Sequence, residues 1–217
     1  MTTTNALIRI LVVDDHPGFR AGLVAMVESS GEMKVVAEAS DCAQAMELFK
    51  QHRPDITLMD LRLPDMSGVE GVMALRAQDP QCRVIVITTY DADEDIYRAL
   101  QAGAKSYLLK EMTAEELRSA IRAVSRGETP LPAQVAQRLA SRLSRPALTG
   151  RELDMIRLIV RGFSNKEIAS EFDITEDTVK WHLKHLFVKL GVKDRTQAAI
   201  MALQQGIIHL WNASSDR

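Results

Sequence analysis

Four groups able to do phosphoryl chemistry stand at the ends of short apolar runs. Asp14 and Asp15 close the run Ile8 to Val13, Asp60 closes Ile56 to Met59, Thr88 ends Val84 to Thr88, and Lys110 follows Ser106 to Leu109. In an open parallel sheet, ligand sites form beyond the carboxyl ends of the strands, where strand order reverses. All of these side chains are therefore expected in one small cavity. Singly, each is weak: an Asp-Asp pair is usually a solvated turn, and a strand-end aspartate often caps a helix. Together they define a chemistry. Three carboxylates in a partly desolvated site repel, and a hard cation with oxygen ligands, magnesium above all, relieves the repulsion. With the cation on one phosphoryl oxygen and Lys110 on another, Asp60 can act as nucleophile and become an acyl phosphate.

The elements that must position these groups are legible over the first 126 residues. Short β-branched runs (Ile8 to Val13, Lys34 to Ala39, Ile56 to Met59, Val84 to Thr88, Ser106 to Leu109) alternate with amphipathic stretches. That alternation predicts an α/β fold, a doubly wound parallel sheet with helices on both faces. Helix starts are marked by Ser67-x-x-Glu70 and Thr113-x-x-Glu116, where hydroxyl and carboxylate satisfy free backbone N–H groups reciprocally. Two enzyme classes are excluded. A dinucleotide site wants Gly-x-Gly-x-x-Gly after the first strand, whereas this chain has Asp14-Asp15-His16-Pro17-Gly18. A dehalogenase-type phosphohydrolase wants a second aspartate two residues after the nucleophile, and Arg62 stands there. The chain is not expected to be an enzyme.

A length of 217 residues with 46% hydrophobic content fits two globular units. Composition changes from Gly127 to Leu148, where Pro130, Pro132 and Pro146 bracket a short basic helix at Ala133 to Leu143. The predicted division is a domain over 1–126, a linker over 127–146 and a second domain over 147–217. Charge follows it: residues 1 to 125 carry 13 Lys/Arg against 19 Asp/Glu, and 126 to 217 carry 14 against 10. A basic domain on an acidic one suggests a polyanionic partner at one end.

The second domain reads as four helices with capping boxes at Thr149-x-x-Glu152, Ser164-x-x-Glu167 and Asp194-x-x-Gln197. Gly162, Gly191 and Gly206 stand at C-terminal caps. Two of the helices meet across Asp173 to Thr175, a turn short enough to require a steep crossing, as in a helix-turn-helix. On the second, from about Glu176 to Leu190, the apolar positions Val179, Leu183, Leu186, Phe187 and Leu190 share one face. Lys180, Trp181, Lys184 and Val188 then point outward, a surface suited to a major groove, with Lys166 placed to hold the backbone. His182 and His185 have a helical i, i+3 spacing, but nothing nearby completes a metal set. Cys42 and Cys82 read as small buried hydrophobes.

Four segments of the first domain carry a family likeness: Val12-Val13-Asp14-Asp15-His16, Leu58-Met59-Asp60-Leu61-Arg62-Leu63-Pro64-x-x-x-Gly68, Ile87-Thr88 and Tyr107-x-x-Lys110. They resemble response-regulator receiver domains. That resemblance implies a five-stranded sheet in the order 2-1-3-4-5. It also implies magnesium on Asp14, Asp15, Asp60 and the carbonyl of Arg62, phosphorylation of Asp60 by a histidine kinase, Lys110 on the phosphoryl group, and Thr88 with Tyr107 as a switch pair. Glu111 stands where many receivers have a cis proline, and a trans bond is expected.

Leu148-Thr149-x-Arg151-Glu152, Gly162-Phe163-Ser164-Asn165-Lys166-Glu167-Ile168-Ala169 and Thr178-Val179-Lys180-x-His182-x-x-x-Leu186-x-x-Lys189-Leu190 resemble the LuxR-type DNA-binding domain. With a receiver before it, the chain resembles the NarL/FixJ group of response regulators. The resemblance implies a transcription factor that binds double-stranded promoter DNA through Lys166, Thr178, Lys180, Trp181 and Lys184. It further implies a homodimer formed on phosphorylation through Arg195, Ala198, Ala199 and Ala202, and contact with RNA polymerase. Trp181 stands where the family usually has a smaller apolar residue. The alternative is a signalling scaffold whose helices bind protein instead of DNA. No apolar run reaches the ~18 residues of a membrane span, and Met1 to Arg9 lacks the order of a secretory signal. A cytoplasmic protein with no membrane partner is expected.

Overall fold

A computed structural model describes residues 7–209, which form two compact units. One unit takes most of the chain up to Arg138, and the other takes the chain from Leu139 on, with Ala92–Asp95 grouped with it. Most of the N-terminal stretch compared with a secretory signal, and the end of the predicted second domain from 210 on, lie outside the described residues.

The first unit alternates β1 (Ile8–Val13), α1 (Pro17–Glu28), β2 (Met33–Ala39), α2 (Cys42–His52), β3 (Ile56–Asp60), α3 (Gly68–Gln78), β4 (Val84–Thr88), α4 (Asp93–Ala102), β5 (Ser106–Leu109) and α5 (Ala114–Ser125). The predicted linker helix follows as α6 (Ala133–Leu143). The five strands are parallel, in the order β2-β1-β3-β4-β5. Every residue of β3 and β4 is buried, as a sheet covered on both faces demands. On one face Ile10, Val12, Leu58, Ile85 and Ile87 pack with Leu23 and Val27 of α1 and Leu117 and Ile121 of α5. β2 begins one residue earlier than its β-branched pattern suggests, because Met33 is buried in the same core.

Register carries this sheet to its chemistry. Val13 pairs with Met59, Asp60 with Ile87, and Thr88 with Leu109, so the residues at and just after these strand ends share one edge. The order reverses between β1 and β3, and that edge is where a ligand crevice belongs. α3 and α5 start as the sequence predicts: Ser67 with Glu70, and Thr113 with Glu116, make complete capping boxes.

The second unit is helical, with α7 (Gly150–Val160), α8 (Asn165–Phe172), α9 (Glu176–Leu190) and α10 (Arg195–Gln204). Met155, Ile156, Ile159, Ile168, Val179, Leu183 and Leu186 form its core, with Phe187 and Leu190 half-buried against it. Thr149 with Glu152 and Ser164 with Glu167 form complete boxes. The third is half made: Asp194 accepts from the Gln197 amide, while the Gln197 side chain accepts from Lys193 N–H instead of the cap's own. Gly191 ends α9 in the left-handed conformation, and Gly162 and Gly206 have positive φ just past α7 and α10. The turn between α8 and α9 is as short as predicted, and Asp173 takes it at φ 51°. Ser164→Ala removes one side of the α8 box and is expected to lower stability by about 1 kcal/mol, read from urea unfolding of the parent and variant.

Two of the expected dimer residues are corrected here. Ala198 and Ala202 have no exposed surface, because α10 turns them into the core against α7. Ala199 also packs against that core, and the Arg195 guanidinium donates to the Phe163 carbonyl. The outward side of α10 carries Thr196, Gln197, Ile200 and Gln204, with Ile200 exposed.

Candidate functional site

At the carboxyl edge of the sheet, the Lys110 ammonium donates to Asp14 Oδ2 at 2.6 Å and to Asp60 Oδ2 at 2.7 Å. Asp14 is the residue after β1, Asp60 ends β3 and Lys110 is the residue after β5, so three strand ends meet at one nitrogen. Asp14 and Asp60 are buried, and the Phe19 ring lies 4.4 Å from the Lys110 nitrogen. Burial pushes the Asp60 carboxyl above the usual carboxylate range. Lys110 pulls it part-way back by hydrogen bond and charge, and the Asp14 charge raises it again. Burial works against the Lys110 ammonium, but the hydrogen bonds it donates to Asp14 and Asp60, with their charges, outweigh it and hold the amine above its ordinary value. The site is thus an anionic cluster with one cation, in surroundings that make unpaired charge costly.

Asp15 is partly exposed; its Oδ1 is buried, lies 2.5 Å from His16 Nδ1 and makes no hydrogen bond among the described residues. A buried, unsatisfied carboxylate oxygen beside two more carboxylates fits a hard cation with oxygen ligands. Asp14, Asp15, His16 and Asp60 each bring one ligating atom within 4.8 Å of the others. Asp14, Asp15 and Asp60 are the expected carboxylates, and His16 is an addition. Arg62 N–H donates to Asp60 Oδ1 at 3.3 Å, and the Arg62 backbone forms an antiparallel bridge with Ser67.

Thr88 and Tyr107 are both fully buried. The Tyr107 hydroxyl donates to the Tyr90 carbonyl at 2.6 Å, and Tyr90 N–H donates to Thr88 Oγ1 at 3.3 Å. Tyr90 therefore links the two residues of the expected switch pair through its backbone. Its ring carries the Arg62 guanidinium at 3.7 Å from the centroid. Sequence reasoning missed this link. Arg62 lies two residues past the end of β3 and Tyr90 two past the end of β4, so the pairing of those strands was the signal available. The described chain has no cis peptide bond, so Glu111 follows Lys110 in trans as expected.

On the second unit, α9 exposes Lys180, Trp181, Lys184 and Val188, as its apolar spacing predicts. Lys180 donates to Asp177 Oδ1 at 2.8 Å, while Lys166 is exposed near the start of α8. Thr178 is less available than expected: it is half-buried, and its hydroxyl is 2.8 Å from that of Thr175, the cap of α9. Trp181 is 58% exposed, with the His185 ring centroid 4.1 Å away. His185 Nδ1 lies 2.8 Å from the Trp181 carbonyl, an oxygen that can only accept, so Nδ1 is the protonated nitrogen. Lys189 is tied back to Glu152 of α7 at 2.7 Å.

Family comparisons cover both units. Residues 10–122 match the response regulator receiver domain, and residues 146–202 match the bacterial regulatory proteins of the luxR family. Response regulator protein VraR of Staphylococcus aureus is 38% identical over 206 residues, which span 93% of this chain and 99% of that one. The chain belongs to the response regulators that join a receiver to a LuxR-type DNA-binding domain. Among solved structures, this response regulator is similar to ChrA of a heme-sensing two-component system, at 38% identity, TM-score 0.57, and 93% and 99% coverage of the two chains. The receiver domain of the response regulator NarL from Mycobacterium tuberculosis is 41% identical, with TM-score 0.55, over 56% of this chain and 98% of its own. An RcsB structure with two dimers on two parallel DNAs shares the fold at 22% identity, TM-score 0.71, and 90% and 97% coverage. A response regulator of this class acts in transcription and carries a DNA-binding domain. No described helix is long and apolar enough to cross a membrane.

Proposed function

We propose that this response regulator is a cytoplasmic transcription factor whose receiver accepts a phosphoryl group on Asp60 from a histidine kinase. The observation that supports this most is Lys110, donating at once to Asp14 and Asp60 at the strand-order reversal. A carboxylate oxygen of Asp60 attacks phosphorus, the bond from phosphorus to the donor nitrogen breaks, and the donor imidazole leaves with a proton. Asp14, Asp15, Asp60 and the Arg62 carbonyl would hold magnesium, which would neutralise charge on the phosphoryl oxygens. Lys110 has to leave its carboxylate partners part-way to meet a phosphoryl oxygen, exchanging hydrogen bonds to Asp14 and Asp60 for one to the phosphoryl group.

Thr88 is the hydroxyl that meets the phosphoryl group. Its movement loosens the Tyr90 amide, and through the Tyr90 carbonyl it releases the Tyr107 hydroxyl. One new charge thereby biases a two-state loop. The active form is a homodimer on double-stranded promoter DNA, where it contacts RNA polymerase. Its helical domains pair through the exposed side of α10 at Ile200. Two-fold symmetry calls for a palindromic site.

α9 enters the major groove with Lys180, Trp181 and Lys184 toward the bases, and Lys166 holds the backbone. Lys184→Ala is expected to weaken operator binding and, where the lysine meets phosphate, to lower the salt slope by about one unit. Gel-shift titrations at several salt concentrations check both, and equal affinity and slope in parent and variant would remove Lys184 from the interface. The same titrations on phosphorylated and unphosphorylated protein test the whole reading. A protein that binds no duplex in either state would favour the scaffold instead.

A further inference from the structure

A magnesium site of the receiver kind is built from oxygen ligands, yet a nitrogen stands in this cluster. His16 precedes α1 as its N-cap, and Pro17 follows it at the first helical position, which pins the backbone there. The His16 amide donates to Asp14 Oδ1 at 2.8 Å, fixing the residue against the carboxylates through its backbone. Its ring Nδ1 lies 2.5 Å from Asp15 Oδ1 and 3.6 Å from Asp14 Oδ1. Asp15 Oδ1 is nonetheless buried without a hydrogen bond, so the close imidazole does not meet it in hydrogen-bond geometry. His16 and Asp15 each bring one ligating atom within 4.8 Å of ligating oxygens of Asp14 and Asp60.

We propose that His16 supplies an imidazole nitrogen to the cation held by Asp14, Asp15 and Asp60, tilting this site from magnesium toward a first-row transition ion such as manganese(II). The inference rests on the metal-dependent reading of the site given above. Imidazole is a good ligand for transition ions and a poor one for magnesium, which keeps oxygen ligands and water at near-ideal octahedral positions. The His16 side chain is 69% exposed, so replacing it leaves the core untouched, and its amide bond to Asp14 survives any substitution that keeps the N–H.

The test uses the full chain and its His16→Ala and His16→Gln variants. Manganese(II) and magnesium affinities are measured by calorimetry, and the manganese complex is examined by pulsed EPR for nitrogen hyperfine coupling. The expected result is coupling in the parent that vanishes in both variants. The ratio of manganese to magnesium affinity should fall by about tenfold in both, with magnesium affinity little changed. Binding of both ions with no nitrogen coupling in the parent, or with one affinity ratio across the three proteins, overturns the role of His16 and leaves the carboxylate site standing. Failure of either ion to bind the parent overturns both readings.

Discussion

Asp60→Asn is expected to abolish labelling by a small phosphodonor such as acetyl phosphate, because the amide has no anionic oxygen to attack phosphorus. The variant should at the same time melt no lower than the parent. Burial holds the Asp60 carboxyl above its ordinary value, which means the folded state resists the ionised form. For such a group, the stabilising contribution is present below the unfolded-state pKa and lost as pH rises through the higher folded-state pKa. At neutral pH the buried charge is therefore a burden on the fold that asparagine removes, and Lys110 keeps its bond to Asp14. Loss of label with an intact melting curve assigns the nucleophile, and label retained by the variant rejects it. In the parent, labelling should also fail on acidification at a higher pH than an exposed carboxylate would give, since protonation removes the attacking oxygen.

Gly68→Ala should be severely damaging for a reason that is purely geometric. A methyl at Gly68 would meet the Asp60 carbonyl oxygen at 2.2 Å and the Leu61 Cα at 2.8 Å, both backbone atoms at the end of β3. Gly68 N–H also donates to the Leu61 carbonyl at 2.8 Å, so α3 is seated directly on that segment. Relief requires the end of β3 or the start of α3 to move, at a cost of about 3 kcal/mol. Thermal unfolding reads the cost, and phosphodonor labelling of whatever remains folded reads the displacement of Asp60. Gly22→Ala is the control, because a methyl at Gly22 in α1 meets nothing within 4 Å. Alanine there should stabilise the helix by about 0.5–1 kcal/mol. Equal melting temperatures for the Gly68 variant and the parent would refute the close-approach argument.

Much of this was legible in the sequence because the information was local. Each strand is a short run, with β-branched residues in all but β5, four of the five ending on or just before a chemically marked residue, and the caps at Ser67, Thr113, Thr149 and Ser164 depend only on i, i+3 pairs. The convergence of Asp14, Asp60 and Lys110 follows from those ends and from parallel pairing. What escaped depended on two elements at once. Helical periodicity places Ala198 and Ala202 on one side of α10 but does not say that α7 covers that side. The Arg62–Tyr90 stack joins two loops whose only common signal is the register of β3 with β4. His16 was visible beside Asp15, but only the backbone turn before α1 brings its ring to the carboxylates. Thr178 was read from its place in a motif, whereas its hydroxyl is engaged with its helical cap.

The two cysteines bear on which signals the molecule hears. The Cys42 thiol lies in the close packing of Gly71 and Met59, and burial together with the nearby Asp65, Asp41 and Glu70 charges pushes its pKa up to about 12. Cys82 is buried and raised as well. Neither sulfur offers a thiolate at neutral pH, and peroxide, alkylating agents and small disulfides react with thiolate. Both cysteine thiols are thereby poor targets for oxidation while the receiver stays folded.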